Sequence, residues 1–227
     1  MNRIRMRFYK NFLAVFRDHR RHAWRIGKCL LVLSGGLFLT QACQTGLSPE
    51  SATSANARSL TPGARDDAAS RAAFLAAYPV FMHPRCMNCH PSGDAPLQGD
   101  DSHPHGQNVQ RGPEGKGLYA LKCANCHQLA NLPGANMPPG NPNWHLPPPA
   151  MKMVFQCRTP SELARQLKDP KLNGGKTLDQ LLHHVSEDKL VLGGWDPGDG
   201  RSKPPIPHAE FATKVREWIE KGAAIPE

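Results

Sequence analysis

The chain has 227 residues, with 28 Lys or Arg against 19 Asp or Glu and a formal net charge of +9. That charge is local: Arg3, Arg5, Arg7, Lys10, Arg17, Arg20, Arg21, Arg25 and Lys28 stand against one acid, Asp18, before Cys43. From Cys43 onward 19 basic and 18 acidic residues remain, so a nucleic-acid-binding reading loses its ground.

The basic segment leads into the apolar run 29–39. This run is shorter than the ~20 residues of a membrane span and fits the apolar region of a secretory signal. It ends in Leu39-Thr40-Gln41-Ala42-Cys43. Small Ala42 before Cys43 resembles a permissive lipobox, in which Cys43 becomes a lipidated N-terminus. Thr40 stands where the strict pattern has Leu, and plain cleavage nearby is the alternative. Residues 1–42 are read as a signal and 43–65 as a tether. Residues 44–65 are rich in Ser, Thr, Ala, Pro and Gly and span roughly 26 Å as a flexible coil. The expectation is an exported, periplasmic domain held at a membrane by a lipid anchor.

Residues 66–78 read as a helix. Asp66 and Asp67 suit its start, alanines its body, and Pro79 its end. Phe74, Tyr78 and Phe81 recur at a helical spacing. The helix runs into Cys86-Met87-Asn88-Cys89-His90, and 37 residues after Cys86 comes Cys123-Ala124-Asn125-Cys126-His127. Each is a C-x-x-C-H pentapeptide, the attachment signal for a c-type haem. Two thiols one helical turn apart reach two vinyl groups on one porphyrin edge. The histidine after them supplies the proximal iron ligand. Two covalently attached haems c are therefore expected, with His90 and His127 as proximal ligands. The alternative is a four-thiolate zinc site, which has no use for a histidine directly after each second cysteine. By the cysteine count, Cys29 lies in the signal and Cys157 outside every motif, so no disulfide is expected in the mature chain.

Residues 91–105 form a loop in which His103 faces solvent and His105 is a candidate distal ligand. Leu118-Tyr119-Ala120-Leu121 enters the second motif and weakly repeats the aromatic, apolar approach to the first. The proline-rich stretch 131–149 is stiff cover. Its Met137-Pro138 step offers an axial sulfur, or Trp144 simply packs there on a porphyrin edge. Met151 is a further candidate, and so is Met153 beside it unless it only fills core.

Thr159-Pro160-Ser161-Glu162 and Thr177-Leu178-Asp179-Gln180 are capping boxes that open two helices. In the second, Leu178, Leu181, Leu182 and Val185 form an apolar stripe. His183 points away from that stripe and His184 flanks it, so His184 is the better distal candidate. A last helix over residues 208–221 puts Phe211, Val215, Trp218 and Ile219 on one face. His208, the remaining distal candidate, shares it. Crossing of this helix over the first is the arrangement of class I cytochromes c. The expected fold is mainly α with extensive loops: cytochrome c-like helices of residues 66–227 wrapped round two covalent haems, with no regular sheet.

Several stretches are similar to one family: 78–91, 93–101, 144–148, 184–188 and Trp195-Asp196-Pro197-Gly198. The chain resembles, over most of residues 70–226, exported cytochromes labelled isoquinoline 1-oxidoreductase subunits. The resemblance implies partnership with a molybdenum hydroxylase of the xanthine-oxidase type. Electrons would pass from that enzyme through this protein toward the respiratory chain. The expected role is electron transfer rather than catalysis. The alternative is a dihaem enzyme of peroxidase type with one open iron.

Overall fold

The computed structural model describes residues 65–227. The expected signal, Cys29, Cys43 and all of the expected tether except Arg65 lie outside the described residues. These described residues are mostly helical, and none of their helices is long and apolar enough to cross a membrane.

Helix α1 spans Asp67–Phe81, with Asp66 accepting a hydrogen bond from the Ala69 N–H at 3.0 Å. Its buried face holds Ser70, Ala73, Phe74, Ala77, Val80 and Phe81, at the three- and four-residue steps of an amphipathic helix. Pro79 does not end it, contrary to expectation. The ring removes the hydrogen bond that the Leu75 carbonyl would accept, at a cost of about 3 kcal/mol. Continuing buries Val80 completely and Phe81 almost so, which offsets that loss. A short helix α2, Pro84–Met87, follows at once and carries Cys86.

Two small antiparallel sheets correct the expectation of no regular sheet. Strand β1, Leu97–Gln98, pairs with β2, His103–Pro104. Strand β3, Gly117–Leu118, pairs with β4, Leu121–Lys122, immediately before Cys123. The second motif is thus approached by a hairpin and not by a helix. Tyr119 sits in its turn at φ 37°, 91% exposed, so it does not repeat the packed aromatics of α1.

Helices α3, Pro160–Lys168, and α4, Leu178–Glu187, both open on the expected capping boxes. Buried Asn173 joins them, donating to the Leu167 and Lys176 carbonyls at 2.8 and 2.9 Å. Helix α5, Lys189–Leu192, then leads to Trp195, whose indole donates to the Ile206 carbonyl. Helix α6, His208–Glu220, buries Phe211, Val215 and Trp218 and lies across α1.

The α1–α6 contact is aromatic and polar at once. Phe74 and Trp218 stand 5.0 Å apart, and Phe81 meets Phe211 and Phe155 edge-on at 5.1 and 5.5 Å. Ser70, fully buried, donates to the Trp218 carbonyl at 2.7 Å and accepts from the Ala224 N–H at 3.0 Å.

Cys157 is not among the free thiols. The four motif cysteines are free thiols.

Ser70→Ala should destabilise the fold by about 2 kcal/mol, because a buried N–H then lacks its acceptor. Urea denaturation checks this; a change under about 0.5 kcal/mol, the range of a surface substitution, would contradict the role given to Ser70.

Candidate functional site

Each C-x-x-C-H motif folds into a single tight turn. In the first, the Cys89 N–H donates to the Cys86 carbonyl at 3.2 Å and the His90 N–H to that of Met87 at 3.0 Å. In the second, a 3-10 turn over Cys123–Asn125, the N–H groups of Cys126 and His127 both donate to the Cys123 carbonyl.

Both histidines are held in the same way. His90 Nδ1 lies 2.7 Å from the Met153 carbonyl oxygen, and His127 Nδ1 lies 2.7 Å from that of Pro139. A carbonyl can only accept, so each Nδ1 carries the proton and each Nε2 keeps its lone pair. Each ring also stacks on an aromatic: His90 on Phe155 at 3.9 Å, His127 on Trp144 at 4.0 Å. Burial pushes His90 down to about 4, against the pull of the Met153 carbonyl. Burial likewise lowers His127, with the Pro139 carbonyl opposing. Both imidazoles are therefore neutral at pH 7, the form that binds metals.

Burial keeps the Cys86, Cys89 and Cys123 thiols protonated. Burial pushes Cys86 up to about 12 and Cys89 up to about 11. Among the described residues no group of three or more His, Cys, Asp or Glu converges as a metal site. The four sulfurs thus do not form the cluster of thiolates that zinc requires.

A cavity of about 790 Å³ lies against the second motif, within the range of about 300–1,000 Å³ for small-molecule sites. Its wall includes Cys89, Cys123, Cys126, His127, His105 and Trp144. The two motifs thus border one space. Two guanidiniums, Arg85 and Arg201, stand on the same wall; burial lowers the Arg201 pKa and the Arg85 charge adds to that, with Asp100 opposing.

The loops around the site are clasped by Arg111, 1% exposed. Its guanidinium donates to the Gly93 carbonyl at 3.0 Å, just past the first motif, and to that of Pro147, past Trp144. Close backbone approach does the rest. A Cβ on Gly140 would fall 2.0 Å from the Ala130 carbonyl carbon, so only glycine lets the Pro139 carbonyl reach His127.

The other expected ligands fall in different places. His105 is on the cavity wall. His184 is half-buried, its Nδ1 3.1 Å from Asp188, and its neighbour His183 is exposed. Burial lowers the His184 pKa, with Asp188 opposing. Met151 lies beside Gly174, and Met137 is 39% exposed. His208 puts its Nε2 2.8 Å from the Val185 carbonyl and its ring against Trp195. The anchoring carbonyls of Met153 and Pro139, and the clasp of Arg111, have no sequence signal. Phe155 had one, as an aromatic in an otherwise irregular stretch.

No family model matches the chain, and neither a curated protein nor a solved structure matches it.

The burial of the thiols has a direct chemical consequence. In the chain without cofactor at pH 7.5, exposed Cys126 should be alkylated roughly a hundredfold or more faster than Cys86. Peptide mass spectrometry over a time course reads this, and equal rates at the two positions would contradict it.

Proposed function

We propose that this protein is an exported two-haem c-type cytochrome that carries single electrons between partner proteins. One observation bears most of the weight. Both C-x-x-C-H motifs present a histidine whose Nδ1 is tied to a backbone carbonyl at 2.7 Å, leaving Nε2 as a lone-pair donor. This is the outer-shell support that a ligating histidine needs, since it sets tautomer and ring orientation together.

When bound, a c-type haem supplies one-electron iron chemistry. The chain's own residues do the rest. Cys86 and Cys89, then Cys123 and Cys126, would hold the two porphyrins through thioether bonds, which need no charge on sulfur. Phe155 and Trp144 brace the proximal rings and keep water from them. Arg201 offers positive charge to haem carboxylates on the cavity wall, where Arg85 is already paired with Asp100. The shared wall of the two motifs supports electron exchange between the two sites within one fold.

Export and lipid anchoring at Cys43 are part of this proposal and rest on the N-terminal sequence. The electron donor is proposed to be a molybdenum hydroxylase, and the acceptor a component of the respiratory chain. That part rests on the stretches that resemble the exported cytochrome family.

Pyridine haemochrome analysis of protein matured in a host with haem-attachment machinery should find two haems per chain. Joint replacement Cys123→Ala with Cys126→Ala should lower the count to one. A wild type that carries zinc and no haem would overturn the proposal, as would retention of two haems in the double variant.

A further inference from the structure

His105 faces His127 across the cavity, with ring centroids 6.3 Å apart and planes inclined by 58°. The rings are too far apart to stack and too close to hold bulk solvent between them. That separation has a simple chemical meaning. Metal–imidazole bonds of about 2.0–2.1 Å on both sides of one ion put the two centroids about 6 Å apart.

The protonation pattern fits as well. His105 Nδ1 lies 2.9 Å from the Gly106 carbonyl, as His127 Nδ1 lies 2.7 Å from that of Pro139. Both rings therefore keep Nε2 as the donor atom. Of the five candidate distal ligands, His105 is on this cavity wall, whereas Met137, Met151, His184 and His208 are not.

We propose that His105 is the second axial ligand of the iron held by the motif ending in His127. The inference rests on the two-haem reading and deepens it. It gives that site two imidazoles, a ligand pair with a lower potential than histidine and methionine.

The fold explains how a residue from the loop of the first motif reaches the second. The His105 N–H donates to the Pro96 carbonyl at 2.8 Å, and β1 and β2 pair on either side of the intervening turn. The hairpin hangs on Asn88, the residue inside the first motif. Its carbonyl accepts from the Leu97 N–H at 3.0 Å, and its side chain donates to the Gly99 carbonyl at 2.9 Å. The first attachment turn thus carries the ligand of the second. His103 also borders the cavity, but its Nδ1 is tied to Asp101 on the exposed side of the hairpin.

The test uses the full-length, haem-loaded protein. Near-infrared magnetic circular dichroism of the ferric wild type should show bis-imidazole ligation for at least one haem; no such band would overturn the inference without any variant. His105→Ala should keep two covalent haems per chain while one of the two irons turns high-spin. Added imidazole should return it to low-spin. In His105→Met one of the two midpoint potentials should rise and the other stay in place. Unchanged spin states and potentials in both variants would overturn the inference, as would a high-spin conversion caused by His103→Ala instead. A wild type without haem overturns the two-haem reading as well, and is told apart by its haem count.

Discussion

The fold depends on one crossing, where α1 meets α6. Ser70 bonds both to the Trp218 carbonyl and to the Ala224 N–H, so the start of α1 is tied to the end of the chain. Phe74, Phe81, Phe211 and Trp218 then close the space between the two helices. Helix α1 ends on Phe81, only a few residues before Cys86. Its position therefore decides where the first C-x-x-C-H turn stands. The same cluster takes in Phe155, which stacks on His90. Core and site are continuous, and a shift of α6 against α1 would be felt at the imidazole.

Away from that core the structure is held by backbone contacts and by few apolar ones. Arg111 and Asn88 gather carbonyls from separate loops, and Gly140 and Gly115 allow chain segments to lie in direct contact. Such a region has little apolar surface of its own to bury. Leu118, Leu121, Leu129 and Leu132 are all exposed near the second motif. Proposed covalent haem would supply the missing apolar mass, and the cavity of about 790 Å³ beside Cys123 is where it would do so. The two C-x-x-C-H turns differ accordingly. The first grows out of a packed helix, whereas the second hangs on a hairpin and a proline-rich cover.

The helices were legible because their signals are local. Thr159 with Glu162, and Thr177 with Gln180, close hydrogen bonds three residues apart, and α6 shows its apolar face as a simple period. Pro79 misled because a local rule met a tertiary reward: Val80 and Phe81 gain more by staying in the core than one lost bond costs. The hairpins escaped because two-residue ladders leave no alternation to read. His105 was legible only as one of five candidates, since nothing in its neighbours along the chain says which ring it will face.

The sequence by itself determined what is covalent and local. Two cysteines and a histidine within five residues bring their donor groups to one tight turn, whatever surrounds them. What only the tertiary structure decided is which groups hold the donors in place. His90 takes the carbonyl of Met153, His127 that of Pro139, and His105 comes round to face His127. Every residue carries the same carbonyl, so such a partner has no signature in the sequence. Its identity is settled when α1, α6 and the Arg111 clasp bring distant parts of the chain together.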